Sequence, residues 1–453
     1  MKTEKINTTI QQIFTEWKIP GLAVGIVDEN GLTYKQTLGV QSIDKPAEVD
    51  EHTIFCIASI SKSFVALAIM QLVERGFLEL DETVVTYLPY FKLDDERFRK
   101  ITLRMLLGHM SGMPDIDEDE YSTLMENPET DDDALERFVR AMAKLQLRSE
   151  PGTKLYYSNL GYSILGDIIA KQTGMVFETY LKEFLLQPIG MKDSTFLLSD
   201  VPKNRLALPH LRTPAMKVNQ NYPNHRGDSP ASSLHSTLND MLTFGEFLIN
   251  RGTMHGKKIV SAASLDLLWT AVATRRPPPF YEKMGLGWML GHFEGEKVVS
   301  HGGMGFGWTD FFMFFPELNK AAVMMSNDES YSRKQINHAL ASEITGHDYS
   351  VGDVSWTILL CDAYLQGGYD AVTKTAKELF ANPPAGISVD QDELINLVFN
   401  MVCARSHEEA VFFLKLYLSF YPNDTEAEDL LRRERMYLDH GGANRVVYEG
   451  GEC

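Results

Sequence analysis

The chain has 453 residues, with 43 Lys or Arg against 62 Asp or Glu, so its formal net charge is −19. This acidic balance argues against a protein that follows nucleic-acid phosphates. With 44% hydrophobic and 23% charged residues, the composition is that of an ordinary globular protein and excludes collagen-like, low-complexity and wholly disordered chains. The length predicts two or three domains.

The cysteines and the N-terminal segment indicate where the protein works. The cysteines are too sparse for a disulfide framework and fit a reducing compartment; they are Cys56, Cys361, Cys403 and Cys453. Glu and Gln residues interrupt the first 27 residues, so no export signal is visible. The longest mainly apolar run, residues 64–73, is about half the length that crosses a bilayer. We therefore expect a cytoplasmic protein without membrane or nucleic-acid partners.

A β-hairpin and a helix are the first predicted elements. Residues 21–40 form two β-branched segments around a turn that contains Asn30-Gly31, a strong hairpin signal. From Ser59 to Gly76, apolar residues recur at helical spacing, and the glycine predicts the end of the helix. We expect an amphipathic helix with Ser59 at its start.

The middle of the chain predicts helices, followed by a return to strands. Between about 80 and 270, helical segments are joined by long polar loops, including the acidic stretch 115–136, which is most simply a solvated loop. Strand patterns occupy residues 285–327, with a turn at 316–319. Strands at both ends and helices between them predict an α+β domain whose sheet is assembled from both termini.

Helical pairs are predicted after about residue 350. They cover 353–366, 369–380 and 390–404, then a helix with a capping box at Ser406 and Glu409, and a last helix over 424–439 closed by glycines at 441–442. The pairs loosely resemble tetratricopeptide-type repeats, although a helical cap on the preceding domain fits equally. We expect a domain over 1–347 and a helical extension over 348–453, a candidate surface for a protein partner or for self-association.

The sequence contains two serine and lysine pairs with the spacing that nucleophilic catalysis needs. A lysine three residues after a serine lies on the same helix face, within reach of the hydroxyl. Ser59 and Lys62 have this spacing at a helix start, where backbone amides can hold an oxyanion. Ser42 and Lys45 share the spacing but lie in a turn region. Taken alone, Ser59 is adequately explained as a helix N-cap.

Two further motifs are weak individually. Tyr157-Ser158-Asn159 follows a Pro-Gly turn, but the pattern Tyr-x-Asn recurs at 222–224 and 421–423 in proline turns. His301-Gly302-Gly303 is predicted to end a strand over 297–300, and a second His-Gly-Gly at 440–442 has the character of a helix C-cap.

In this order and with their surrounding phrases, the three motifs closely resemble the serine β-lactamase and penicillin-binding-protein superfamily. The branch resembled is the Tyr-x-Asn type: class C β-lactamases, D,D-peptidases, D-aminopeptidases and related esterases. The supporting phrases are TIFCIAS at 53–59, ITLRMLLGHMSGMP at 101–114, residues 151–166, SSLHS at 232–236 and GLGW at 285–288. The resemblance covers about residues 8–345 and implies a β-lactamase/transpeptidase-like fold with an all-helical subdomain.

The resemblance implies a role for each motif. Ser59 would be the nucleophile, and Tyr157 the preferred base, with the charge of Lys62 favouring its deprotonated form. Asn159 would orient the substrate carbonyl or Lys62. The glycines of the third motif, Gly302 and Gly303, would leave room for substrate along the strand edge, and the amides of Ser59 and Met304 would form the oxyanion hole.

One departure from the family pattern bears on the substrate. His301 occupies a position where lysine often pairs with a substrate carboxylate, and an ordinary histidine is mostly neutral at pH 7. We therefore expect hydrolysis of an ester, an amide or a D-amino-acid peptide. The alternatives are a D,D-carboxypeptidase or β-lactamase, and a non-catalytic scaffold that binds a partner through the helical extension.

Other chemistries find little support in the sequence. An α/β-hydrolase needs a Gly-x-Ser-x-Gly elbow, and residues 108–112 have the wrong spacing for one. His109 in that segment is expected to pack a loop. No cluster has zinc-ligand spacing and no glycine-rich loop has phosphate-binding form, so we expect neither a metal nor a cofactor.

Overall fold

The structure is a computed structural model, and it describes residues 2–116, 127–220, 222, 225–275, 279–329 and 332–439. Its helices are α1 Lys2–Glu16, α2 Ser61–Glu74, α3 Val84–Tyr87, α4 Leu103–Leu107, α5 Ala134–Ala141, α6 Asn159–Thr173, α7 Phe177–Leu181, α8 Gln187–Ile189, α9 Ser229–Ser232, α10 Leu238–Ile249, α11 Ala262–Leu268, α12 Ser332–Thr345, α13 Trp356–Ala381, α14 Gln391–Cys403, α15 His407–Phe420 and α16 Thr425–Asp439. Short 3₁₀ segments occupy Ala58–Ile60, Glu96–Lys100, Met142–Lys144 and Leu198–Asp200, and a π-helical turn occupies Lys182–Leu186.

The main sheet confirms that strands from both ends of the region combine. Its strands are β1 Gly21–Asp28, β2 Gly31–Gly39, β9 Ala273–Thr274, β10 Lys283–Met284, β11 Met289–Phe293, β12 Glu296–Gly305, β13 Trp308–Phe315 and β14 Lys320–Ser326. They are antiparallel in the order β2-β1-β14-β13-β12-β11-β10-β9. Two-stranded pairs are formed by β3 Ile54–Cys56 with β6 His235–Thr237, β4 His210–Leu211 with β5 Lys217–Val218, β7 Thr253–Met254 with β8 Lys257–Lys258, and β15 Val354–Ser355 with β16 Ile387–Ser388.

Helices cover both faces of the main sheet because its central strands are apolar on both sides. Side chains alternate between faces along each strand. On β12, Val299 packs into the larger core with α2 and α10, whereas Val298 packs into a second core with α1 and α12. The predicted hairpin of β1 and β2 is confirmed and pairs with β14. The turn predicted at 316–319 joins β13 to β14.

The helix α2 differs from its prediction. Its side chains from Ser61 to Leu72 are all buried, including Lys62 and Gln71, so the helix is not amphipathic. Ser59 precedes α2, in the 3₁₀ turn Ala58–Ile60, and the residue that caps α2 is Ile60. The N-cap explanation of Ser59 is therefore wrong, and the polar side chains inside this helix face the interior of the protein.

The C-terminal helices have a core of their own and also contact the preceding domain. Gly367 and Gly368 break the helical geometry within α13, where the sequence predicts an interruption. Lys217 donates to the hydroxyl of Ser406 (2.8 Å), and the Ser406 side chain does not cap α15, so the predicted capping box is wrong. The predicted cap at glycines 441–442 lies outside the described residues.

The division of the chain into residues 1–347 and 348–453 stays a prediction. In the described ranges, no helix is long and apolar enough to cross a membrane.

Candidate active site

The 3₁₀ turn before α2 places Ser59 beside the buried Lys62. Ala58 has a positive φ of 42°, a conformation that few residues with a side chain adopt and that is often retained where function requires it. The next residue, Ser59, is half-buried, and its hydroxyl lies 3.0 Å from the Nζ of Lys62. The predicted pairing of these two side chains is thus present in the geometry.

Lys62 is fully buried, and its head group has three acceptors. Its Nζ donates to Ser59 Oγ (3.0 Å), to Asn159 Oδ1 (2.7 Å) and to the carbonyl oxygen of Ala231 (2.8 Å). These acceptors match the three N–H groups of a lysine ammonium. A buried charge is tolerated where hydrogen bonds satisfy it, so the arrangement fixes Lys62 between the nucleophile candidate and the second motif.

Tyr157 lies across Lys62 and is held by a histidine. The Nζ of Lys62 is 5.0 Å from the centre of the Tyr157 ring. The ring of His109 stacks on the Tyr157 ring, and the two ring centres are 4.2 Å apart. The Nδ1 of His109 accepts from the backbone N–H of Ser158 (3.2 Å). Burial lowers the pKa of His109 well below its usual value, with Lys62 adding to the effect. His109 is therefore neutral and packs the loop.

Asp115 is a part of the site that the sequence analysis missed. It accepts from both the backbone N–H (3.0 Å) and the Nδ2 (2.9 Å) of Asn159 at the start of α6. This pair orients the amide so that its oxygen faces Lys62. Burial raises the pKa of Asp115 to about 6, against the lowering influence of its hydrogen bonds and of Lys62. Asp115 begins the acidic stretch, and residues 117–126 of that stretch lie outside the described residues.

The third motif lies inside a strand, not at its end as predicted. The strand β12 continues through His301, Gly302 and Gly303 to Gly305. Its pairing with β11 stops at Ser300, whereas its pairing with β13 continues to the end of the strand. Among the described residues, no strand covers the other edge of 301–305, so an extended substrate can approach there.

Gly303 brings this strand edge against the segment that precedes Ser59. A Cβ at Gly303 would lie 2.2 Å from the carbonyl oxygen of Ile57, so only glycine fits. A Cβ at Gly302 would meet its nearest neighbour at 3.5 Å, an ordinary contact. Gly303 is thus needed for close backbone approach, and Met304, the predicted second oxyanion residue, follows it on the same edge.

His301 is buried and uncharged. Its Nδ1 donates to the carbonyl oxygen of Gly302 (2.8 Å), which leaves Nε2 as an acceptor. Burial lowers the pKa of His301 to about 3, with the charge of Lys62 as the next cause. Arg275, half-buried and packed over the Tyr281 ring, also acts on His301. The sequence analysis singled out no arginine here because Arg275 lies in no motif.

The competing motifs lie elsewhere. Ser42 is buried and accepts from the backbone N–H of Asp44, while Lys45 is exposed. Tyr222 packs edge-on against Trp308. The ring of Tyr421 packs among aromatic side chains of the C-terminal helices. The second His-Gly-Gly, residues 440–442, lies outside the described residues.

A comparison with known families decides the assignment. The family described as Beta-lactamase matches residues 6–344, three quarters of the chain. The chain belongs to the beta-lactamase family. The resemblance to the β-lactamase and penicillin-binding-protein superfamily is thereby confirmed, as is the fold expected from it.

Relatives within the beta-lactamase family are distant. Protein flp of Staphylococcus aureus (strain MW2) is 26% identical over 76% of this chain and 67% of that protein. Penicillin-binding protein 4 of Amycolatopsis lactamdurans is 28% identical over 69% and 82%, respectively.

Solved structures of the family share the fold. The octameric penicillin-binding protein homologue from Pyrococcus abyssi has a TM-score of 0.67 and 27% identity, with 77% of this chain and 78% of that chain covered. The D-amino acid amidase from Ochrobactrum anthropi SV3, complexed with L-phenylalanine amide, has a TM-score of 0.64, 23% identity and coverages of 76% and 98%. The chain is a serine hydrolase of the β-lactamase and penicillin-binding-protein family.

Proposed function

We propose that the protein forms an acyl-enzyme on Ser59 and hydrolyses an ester, an amide or a D-amino-acid peptide bond. The observation that carries the proposal is the hydrogen bond of 3.0 Å between Lys62 Nζ and Ser59 Oγ. The other two bonds of Lys62, to Asn159 and Ala231, hold the ammonium at that position. A serine next to a fixed cation, in the turn that leads into α2, has the surroundings of an activated nucleophile.

In the proposed acylation step, Ser59 is the nucleophile and Tyr157 is the base. The Ser59 oxygen attacks the substrate carbonyl carbon while its proton passes to the oxygen of Tyr157, which acts as the base. The backbone N–H groups of Ser59 and Met304 donate hydrogen bonds to the developing oxyanion. Tyr157 then returns the proton to the leaving group, and the carbon bond to that group breaks.

In deacylation, a water molecule is the nucleophile and Ser59 is the leaving group. Tyr157 takes a proton from a water molecule, whose oxygen attacks the acyl carbon, and then gives that proton to Ser59 Oγ as the ester bond breaks. Asn159, oriented by Asp115, keeps Lys62 in place through both steps. The free edge of β12 holds the substrate backbone, and Gly303 allows the strand to lie against the Ile57 segment.

His301 favours neutral substrates over those with a carboxylate. A histidine whose pKa is about 3 carries no charge at pH 7, so it does not pair with a carboxylate as lysine would. The second candidate function, a D,D-carboxypeptidase or β-lactamase, is favoured by Arg275, a cation whose charge reaches His301. The amidase and penicillin-binding-protein names among the relatives support both candidates. A cytoplasmic location remains a prediction from the sequence.

The test is a comparison of Ser59→Ala with Ser42→Ala. Turnover of p-nitrophenyl esters, D-aminoacyl anilides and nitrocefin is measured, together with covalent labelling by a fluorophosphonate. We expect Ser59→Ala to lose activity by orders of magnitude and to lose labelling, while Ser42→Ala keeps both. Equal behaviour of the two variants would contradict the assignment. A wild-type protein that neither labels nor turns over any substrate would favour the scaffold alternative.

A further inference from the structure

A cavity lies between the C-terminal helices and the end of the main sheet. Its volume is about 280 Å³, near the lower end of the usual range for small-molecule sites, about 300 to 1,000 Å³. The polar side chains that matter for what it could bind are Glu329, Arg333, Ser355, Glu393, Asn396 and Asn400. Three of them, Glu393, Asn396 and Asn400, belong to α14, so the cavity exists only with the helical extension in place.

The cavity lies on the other face of β12 from Ser59. Gly303 faces Ile57 and the nucleophile turn, and side chains alternate along a strand. The next residue, Met304, therefore points to the opposite face, where it lines the cavity together with Trp17. A ligand in this cavity is thus distinct from a substrate whose carbonyl lies at Ser59.

Two carboxyl groups, Glu329 and Glu393, and two arginines, Arg212 and Arg333, supply the charge in the cavity. The Oε2 of Glu393 is buried and has no hydrogen-bond partner within the part of the chain that the structure describes. The Oε2 of Glu329 accepts from the backbone N–H of Gly307 (3.1 Å). The charge of Arg212 is already neutralised by the buried Asp328, 2.6 Å away. Arg333 acts on Glu329, whereas none of the described arginines acts on Glu393.

A primary ammonium matches this lining. Its N–H groups could satisfy the unpartnered oxygen of Glu393 and a second lone pair of Glu329, and its charge would compensate buried carboxylates that burial otherwise penalises. Apolar side chains line the rest of the cavity and suit a short alkyl group; they are Ile358, Leu397 and Phe399.

We propose that this cavity is a second binding site, for a small primary ammonium compound held by Glu393 and Glu329. The proposal does not depend on the acyl-enzyme function. It does bear on the site: Glu329 holds the turn that follows Met304, and Asn400 of α14 donates to the backbone oxygen of Glu329 (3.3 Å). The ligand would thus contact the link between the extension and the predicted oxyanion strand.

Binding should strengthen as pH rises. Burial raises the pKa of both Glu329 and Glu393 to about 7, while an alkylammonium, like lysine, stays charged to about pH 10. The charged fraction of a carboxyl with a pKa of about 7 is about tenfold larger at pH 8 than at pH 6. The other charged groups facing the two carboxyls are Arg212, Asp328, Arg333, Lys334, Asp390 and Asp392.

The test is calorimetric titration of the full chain with n-butylammonium chloride, with 1-butanol as the uncharged control. We expect binding that is tighter at pH 8 than at pH 6, by about tenfold for one titrating carboxyl and up to about 100-fold for both, and none detectable with 1-butanol. Glu393→Gln should weaken binding at pH 8 by at least about tenfold, the scale of a lost charged hydrogen bond. The matched control is Glu378→Gln, an exposed glutamate on α13 that does not line the cavity and should bind as wild type does.

Two further variants keep the result interpretable. Asn396→Phe fills the cavity without removing a charge and should also abolish binding, so a folding defect of one variant leaves the other as a test. Ser59→Ala should bind like wild type, which separates this site from the hydrolytic function. Absence of binding by wild type, or equal weakening by Glu393→Gln and Glu378→Gln, would overturn the proposal.

Discussion

Replacing Asp115 with asparagine should change how the stability of the protein depends on pH. Asp115 accepts two hydrogen bonds from Asn159, yet burial raises its pKa from the usual 3.8 to about 6. In the unfolded chain the carboxyl regains its ordinary pKa. Its contribution to stability is therefore fully present below about pH 3.8 and is lost as pH rises through about 6.

The size of the effect follows from that difference in pKa. At about 1.36 kcal/mol per pH unit, keeping Asp115 ionised at neutral pH costs the folded state about 3 kcal/mol. Asparagine has no charge to bury, but its amide can replace only one of the two acceptors that face Asn159. That loss, about 1 to 3 kcal/mol, is the same at every pH. We expect the stability of Asp115→Asn relative to wild type to improve by about 2 to 3 kcal/mol from pH 4 to pH 7.

The measurement is urea unfolding of both proteins at several pH values, taking the difference in the free energy of unfolding at each. Subtraction removes the titration of all other groups that the two proteins share. Asp133→Asn is the control, because Asp133 is exposed and its side chain makes no capping bond to α5. A difference between Asp115→Asn and wild type that stays constant with pH would refute the argument.

The other predictions concern the hydrolytic site. Tyr157→Phe should lower kcat by about 10² to 10⁴ in steady-state assays, whereas Tyr222→Phe should leave it near wild type, and the reverse order would show that the wrong tyrosine was chosen. Gly303→Ala places a Cβ 2.2 Å from a backbone oxygen of the segment before the nucleophile, so we expect slower acylation in burst kinetics and about 1 to 3 kcal/mol less stability. A Cβ at Gly302 would meet its nearest neighbour at 3.5 Å, so Gly302→Ala should keep the thermal stability of wild type. His301→Lys should raise the ratio of nitrocefin turnover to p-nitrophenyl ester turnover. The increase should correspond to a difference in activation free energy of up to about 1.5 to 3 kcal/mol. An unchanged ratio would mean that another cation recognises the carboxylate.

Local signals account for the parts of the fold that the sequence predicts well. The first hairpin follows from the turn at Asn30-Gly31, and the break in α13 follows from Gly367 and Gly368, which carry non-helical backbone angles. In each case a glycine or a turn residue determines backbone geometry within a few positions. Such signals need no knowledge of what packs on the segment.

Predictions failed where a distant partner decides the outcome. The hydroxyl of Ser406 binds Lys217, 189 residues away, and leaves α15 uncapped. The helix α2 is buried all round because it lies inside the larger core, and its spacing of apolar residues does not distinguish this from a surface helix. Asp115 escaped notice because its pairing with Asn159 spans 44 residues.

The burial of Lys62 connects these failures to the chemistry. A lysine on an amphipathic helix would keep its ammonium in water, and Ser59 would then face a mobile, well-hydrated charge. Because α2 is enclosed, the ammonium must be satisfied by protein groups, and Ser59, Asn159 and Ala231 supply its three acceptors. Loss of one acceptor would leave a buried N–H unsatisfied, so the packing that stabilises the helix also fixes the distance from Lys62 to the nucleophile candidate. Among the polar positions that interrupt the apolar pattern of α2, Lys62 is thus the one that the proposed reaction uses, whereas Ser63 and Gln71 donate to backbone carbonyl oxygens.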